Sequence, residues 1–260
     1  MRNEPNELNE DWLRPDWALD HVHAFMTTRA GGVSQGAHAS MNIGRAVQDD
    51  PAAVAENRAI LARALGAPTA FMPQVHGTDV LVLRPEHAVP GADMPKADAS
   101  VSTTRGLGLA IQVADCLPVL FAAPGGVAGA HAGWRGLAAG VLENTVKVLC
   151  REARCQPSEV RAWMGACIGP RVFEVGADVL EAFGREAVPH DAELFRYQPN
   201  AAGQPRWRAD LAGLARERLQ RLGLASVSGG EWCTLSEPQR FFSYRHEALA
   251  GRMAAAIVLR

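Results

Sequence analysis

The chain has 260 residues and almost no lysine. Lys96 and Lys147 stand alone among its 26 cationic side chains, so nearly all the positive charge is arginine. There is no cationic surplus either: the formal net charge of -2 argues against a nucleic-acid partner, which calls for a basic footprint. The many guanidinium forks keep recognition of small anions open. No apolar run reaches the length of a membrane span, so no membrane partner is expected. Residues 1–17 are acidic, rich in asparagine and broken by Pro5 and Pro15. They lack the basic start and apolar core of an export signal. The five cysteines, Cys116, Cys150, Cys155, Cys167 and Cys233, are odd in number and irregularly spaced, so they do not form a disulfide framework. A reducing, cytoplasmic setting is the expectation, with most thiols acting as small apolar residues. No internal repeat or low-complexity linker divides the chain. Residues 1–16 are expected to be loosely held, and 17–260 to form one domain, monomeric or homodimeric.

What is present reads as strands in clusters between helices. Residues 49–66 form a marked helix, with Asp50 as its cap, Pro51 in its first turn and Gly66 at its end. Residues 209–223 form another, capped by Asp210, with Arg218 able to lay its stem along the edge of the core. Residues 136–153 and 176–187 also have a helical period. Strands are expected at 21–28, 79–83, 98–103, 107–113, 117–123, 126–131, 160–166 and the C-terminal AAAIVLR. Clustering without strict alternation favours an α+β fold with mixed sheets.

The chemistry concentrates in ADCLPVLFAAPGGVAGAHAGWRG, residues 114–136. Cys116 stands at a strand junction, because Pro118 keeps Leu117 extended. His131 ends an apolar run, and His76 lies in PQVHGTD beside a glycine. Three readings stay open on these residues. Cys116 can be a core thiol, with the histidines as hydrogen-bonded edge residues. It can be a nucleophile, with His131 or His76 as base and Asp115 as orienting group. Or His76, Cys116 and His131 can share a metal, since imidazole nitrogen and thiolate sulfur suit zinc and three ligands leave a catalytic position open. Asp115 raises a geometric problem: successive strand residues face opposite ways, so a turn is needed if both it and Cys116 are to serve one site.

HAGWRGLAAG places Arg135 in a turn into a helix start, where free N–H groups favour an anion. The spacing Gly129, Gly133, Gly136 is not a dinucleotide fingerprint. The loops TTRAGGVSQGAHASMNIG (27–44), with Arg29, Ser34 and Asn42, and FFSYRHEALAGRM (241–253), with Ser243, Tyr244, Arg245 and Arg252, offer further anion contacts or plain solubilising polarity.

Together TTRAGGVSQG, NIG, DDPAAVAENR, QVHG, ADCLPV, HAGWRG, GACIGPRVFEVG and FFSYRHEALAGRM resemble, in order and over residues 25–258, the bacterial multicopper polyphenol oxidase or laccase-domain family. Ala166, Val172, Phe173 and His38 depart from the family's usual residues. The resemblance implies a layered α/β/β/α sandwich with mixed sheets. It implies one metal, usually zinc with copper possible in the same site, on His76, Cys116 and His131. It also implies purine nucleoside phosphorylase activity on adenosine, inosine, guanosine and methylthioadenosine with phosphate, beside adenosine deaminase activity. Asp115 and Arg135 are the expected catalytic groups. Arg29, Asn42, Gln74, Gly133, Ser243 and Arg245 are the expected substrate and phosphate contacts. An amidase that edits serine in peptidoglycan precursors is the alternative enzyme, and a metal-dependent binding module the alternative without catalysis. Polyphenol oxidation is disfavoured, because a mononuclear plus a trinuclear copper centre needs about ten histidines, and the chain has eight with a single H-x-H. The H-x-E and P-C-x-x-C signature of zinc nucleobase deaminases is absent, so deamination here would be an independent solution.

Overall fold

A computed structural model describes residues 8–89 and 91–260 of the chain. Its elements are β1 (Val22–Met26), α1 (Pro51–Leu65), β2 (Thr69–Phe71), β3 (Val80–Val82), β4 (Ala99–Ser102), β5 (Gly108–Val113), β6 (Leu117–Ala123), β7 (Gly126–Ala132), α2 (Trp134–Ala139), α3 (Val141–Ala153), β8 (Arg161–Met164), β9 (Glu174–Val175), α4 (Ala177–Ala182), β10 (Phe195–Tyr197), β11 (Trp207–Ala209), α5 (Leu211–Arg221), β12 (Ser226–Gly229) and β13 (Met253–Leu259). The strands make a four-stranded sheet in the order β1-β13-β5-β2, a six-stranded sheet β12-β8-β6-β7-β4-β3 and a small sheet β10-β11-β9. Both large sheets mix parallel and antiparallel pairs.

The period-two alternation of the strands sets the layers. Met253, Ala255 and Ile257 of β13 join Leu109 and Ile111 of β5 against Leu120 and Val127 of the six-stranded sheet. The intervening Ala254, Ala256 and Val258 face Leu61 and Leu65 of α1. On the far side, Val119 and Phe121 of β6 pack with Val146 and Leu149 of α3 and with Leu214 and Leu219 of α5. The result is the α/β/β/α sandwich that the resemblance implies. Each of these fully buried branched side chains contributes about 1.5–3 kcal/mol. The sheets approach closely at Gly129, where a Cβ would sit 2.7 Å from Leu109 Cδ1.

Local signals explain the helices. The Asp50 carboxylate accepts from Ala52 N at 3.0 Å to cap α1, and Gly66 ends it at φ 75°. Asp210 caps α5 by accepting from Gly213 N at 2.8 Å. Arg218 lies over the Phe183 ring and pairs with Glu143 at 2.6 Å, with its stem at the core edge as its position predicts.

Three expectations are corrected. The helical stretch 136–153 is two helices, because Gly140 takes φ 98° and breaks it. The stretch 176–187 keeps only α4, since Gly184 turns the chain at φ 69°. Of the start expected to be loose, residues 1–7 lie outside the described ones, while Trp12 and Leu13 are buried. Trp12 stacks on Phe25, and Leu13 exchanges backbone hydrogen bonds with Met26. Among the described residues no helix is long and apolar enough to cross a membrane.

Candidate metal centre

One end of the six-stranded sheet gathers the chemistry. β6 begins where β7 ends, with Pro118 opposite His131, and β4 begins beside them, with Ala99 opposite Ala130. β3 runs parallel to β4, so the 72–79 loop that precedes it reaches the same end. His76 comes from that loop, Cys116 from the turn before β6, and His131 from the last turn of pleat in β7. Their three ligand atoms lie within 4.8 Å of one another. Cys116 Sγ is 3.7 Å from His76 Nε2, and the two imidazole rings meet edge to face at 4.8 Å.

Asp98 organises this cluster, and the sequence reading missed it. The carboxylate is fully buried. It accepts the backbone N–H groups of Val75, His76 and Gly77 at 3.0, 2.8 and 2.7 Å, and so folds the histidine loop around itself. It also lies 2.8 Å from His131 Nδ1. An ionised carboxylate only accepts, so Nδ1 carries the proton and Nε2 is left for a ligand. His76 adopts φ 62°, a conformation rare for a side chain of its size, which three hydrogen bonds to one carboxylate hold in place. The only hint in the sequence is an acidic residue at the mouth of an apolar strand, ADASV, where a solvated residue would do equally well.

The charges fit a ligand set. Burial pushes the Cys116 thiol up, but hydrogen bonds and charge from His131 and His76 outweigh it and bring the thiol down to about 6. It is therefore thiolate at neutral pH, the form that binds metal. Burial works against protonated His131, yet Asp98 and Cys116 raise it to about 9. Asp98 is itself held below the usual carboxylate range: burial opposes this, and His131 with the loop N–H groups prevails. By contrast, burial pushes Cys150 up to about 12 and raises Cys155 and Cys167, as expected of inert thiols. Sulfur and nitrogen ligands at about 2.3 and about 2.1 Å from a tetrahedral ion lie about 3.6 Å apart, close to the observed 3.7 Å. The residues present can thus hold a single metal ion, and the three form the one such cluster among the described residues. Gly133 belongs to this fit. A Cβ there would lie 2.8 Å from the His76 ring and 3.1 Å from Cys116 Sγ.

The cluster opens into a cavity of about 960 Å³. Gln74, Asp115, Arg135 and Arg245 line it, but Arg29, Asn42 and Ser243 do not. Arg29 is tied to the carbonyls of Ala39 and Pro238 and lies over the Phe242 ring. Asn42 is fully buried and bonded to Gly44, Asp49 and Arg252. Ser243 donates to Asp115 at 3.0 Å. These three, read as substrate contacts, are instead internal ties. Gln74 lines the cavity with its amide bonded both ways to the Gln112 backbone. Asp115, read as a proton carrier, has both oxygens occupied. Oδ1 accepts from Thr234 at 2.6 Å, and Oδ2 accepts from Ser243 and from Arg245 N at 2.7 Å. Its φ of 85° is the turn that lets Asp115 and Cys116 face different clients. The reading also missed Arg45, Arg58 and Phe71 in the cavity wall. Arg58 ends the DDPAAVAENR motif and Arg45 directly follows NIG, but neither was given a role there.

Residues 23–260 match the pattern of the family described as multi-copper polyphenol oxidoreductase laccase. A Pseudomonas aeruginosa protein named purine nucleoside phosphorylase is 44% identical over 252 residues, covering 96% of this chain and 98% of that protein. The Escherichia coli purine nucleoside phosphorylase YfiH is 43% identical over 250 residues, covering 94% and 97%. Among solved structures, Neisseria meningitidis NMB0706 superposes with a TM-score of 0.84 at 44% identity, covering 96% of this chain and 99% of that one. YlmD from Geobacillus stearothermophilus also gives 0.84, at 31% identity and 98% coverage of each. With the family pattern matched over residues 23–260 and relatives alike in sequence and fold over nearly the whole length, the chain belongs to the multi-copper polyphenol oxidoreductase laccase family.

Proposed function

We propose that the protein is a zinc-dependent purine nucleoside phosphorylase with a second, adenosine deaminase activity. The observation that carries this reading is the His76–Cys116–His131 cluster at the wall of an arginine-lined cavity of about 960 Å³. That volume suits a nucleoside and phosphate together. The names of the relatives point to the same reaction. Zinc suits the donor set, with copper able to take the same seat. When bound it supplies a Lewis acid at the cavity wall.

The chain's own residues do the rest. In phosphorolysis a phosphate oxygen bonds to C1′ of the ribose as the C1′–N9 bond breaks, giving ribose 1-phosphate and the free base. Trp134, Phe173 and Tyr244 line the cavity and offer ring faces to a purine. Arg135 and Arg245 offer charge to phosphate oxygens. Asp115 holds the wall that carries Tyr244 and Arg245 with three accepted hydrogen bonds, which compete with any part it has in moving a proton. Asp93 is the exposed carboxylate of the lining and the remaining candidate for that task. In deamination, water replaces the 6-amino group of adenosine and ammonia leaves.

The test is a panel of adenosine, inosine, guanosine and methylthioadenosine on zinc-loaded protein, with and without phosphate. Inosine should give hypoxanthine and ribose 1-phosphate in equal amounts, and adenosine should also release ammonia. Chelation should stop both, and added zinc should restore them. A zinc-loaded protein inactive on every nucleoside, yet able to release serine from a muramyl precursor, would move the function to the amidase.

A further inference from the structure

The cavity wall carries five arginines, none with a carboxylate partner among the described residues, and three of them sit side by side: Arg45, Arg58 and Arg252. They form one group. Arg58 donates through Nε to Ile43 O at 2.9 Å, which fixes it to the stretch that carries Arg45. Arg252 packs its stem on Gly44, where a Cβ would lie 2.7 Å from Arg252 Cγ. Arg58 is laid over the Phe71 ring at 4.2 Å and donates from Nη2 to Gln112 Oε1 at 3.1 Å, so its fork is pre-aimed. Its Nη1 has no protein partner among the described residues. Arg45 makes no protein hydrogen bond there, and Arg252 donates only from Nη1, to the carbonyls of Ala250 and Gly251.

Arg58 and Arg252 are half-buried and Arg45 is exposed beside them, and neighbouring guanidinium groups partly withdrawn from water favour an anion between them. Burial, with the like charge of Arg45, brings Arg58 down to about 10. Each arginine still has donors to give, and planar forks converging on one cavity match a phosphate dianion better than a carboxylate or a neutral group. The group adjoins the metal cluster. Gln112 is bonded to Gln74, two residues before His76, and Arg252 lies within the field of Cys116 and Asp115. Arg135 lies over the Trp134 ring, and Arg245 lies over the Phe173 ring and donates to Glu174 O, so no hydrogen bond or ring contact among the described residues joins either to this group.

We infer that Arg45, Arg58 and Arg252 form the phosphate-dianion subsite of this cavity and that its occupant is free inorganic phosphate. The occupant rests on the phosphorylase reading; the subsite rests on the arginines alone.

The experiment has two readouts on zinc-loaded protein: calorimetric binding of inorganic phosphate, which needs no turnover, and the KM values for phosphate and inosine. Arg45→Gln is the first variant, because Arg45 is exposed and holds nothing in place. Arg58→Gln is the second, with its melting temperature recorded; Arg135→Gln tests the rival phosphate contact, and Arg29→Gln, whose side chain is tied to Ala39 O and Pro238 O and does not line the cavity, is the comparator. Loss of a charged, hydrogen-bonded partner weakens binding roughly 10- to 100-fold. Phosphate affinity should fall by that factor in Arg45→Gln and Arg58→Gln and hold in Arg29→Gln. KM for phosphate should rise in parallel while KM for inosine stays within twofold. Phosphate binding lost in these variants of a protein that turns over no nucleoside would keep the subsite and remove the phosphorylase reading. Active enzyme whose phosphate KM responds only to Arg135→Gln would remove the subsite and keep the phosphorylase. Inosine 5′-monophosphate binding that depends on Arg45, in a protein blind to free phosphate, would overturn the assignment of the occupant.

Discussion

Two regions look equally functional in the sequence and prove opposite in kind. The 27–57 stretch is dense with polar and glycine residues, and nearly all of that bonding capacity is closed on itself. Asn57, fully buried, donates to Ser34 Oγ, Ser40 O and Asn42 O and accepts from Val33 N. Ser34 and Asn42 in turn donate to Asp49 at 2.6 and 2.8 Å. At the metal cluster the polar groups are closed on one side only. Asp98 fixes the backs of His76 and His131, and the Nε2 and Sγ atoms face each other around an open point. The lesson is that a polar residue type says little until its partners are counted. A satisfied network holds a loop, and a network satisfied on one side makes a site.

The sharpest way to break the comparison is to remove a ligand. Cys116→Ala or His131→Ala should lose stoichiometric zinc and reduce nucleoside turnover by at least ~10²–10³-fold, read by metal analysis and initial rates. Full activity without metal would return Cys116 to the role of nucleophile. The loop side breaks differently. Asn57→Ala should cost about 2–4 kcal/mol in a denaturant melt, because it strands several buried partners, while the folded fraction still binds zinc. Zinc affinity should also depend on pH. His131, raised to about 9, keeps its proton below that value, and the metal must displace it. Affinity should therefore climb about 50-fold from pH 7 to 9, then level off within a further factor of about two. Below about 6 it should fall more steeply, as Cys116 also takes up a proton. Asp98→Asn should weaken zinc binding about 10- to 100-fold while the fold survives. Smallest of all, Arg29→Gln should leave every KM unchanged and cost about 1 kcal/mol of stability.

The sequence carried the parts of the fold that local physics decides. Asp50, Pro51 and Gly66 bound α1, Asp210 caps α5, and the apolar runs of β5, β6 and β7 lie where their residues predict. What it hid depends on long-range geometry. The strands β9, β10 and β11 are two or three residues each, too short for a period to show. Gly140 inside 136–153 looks like a tolerated helix glycine until its left-handed conformation splits the helix. Within the site, His76, Cys116 and His131 were found, but only QVHG, ADCLPV and HAGWRG taken together separated ligands from core. Asp98 lies in none of the quoted motifs, and Arg58, though it ends DDPAAVAENR, was given no role, because such roles come from segments that meet in space.

The left-handed turn at Asp115 has a mechanical consequence. The dipeptide Asp115–Cys116 is a pin through two parts of the molecule: the thiol serves the histidines, and the carboxylate grips Thr234, Ser243 and Arg245. The cavity wall bearing Tyr244 and Arg245 cannot swing outward without pulling on the residue next to the cluster's thiol. Whatever settles against that wall is therefore felt, one peptide bond away, by the sulfur.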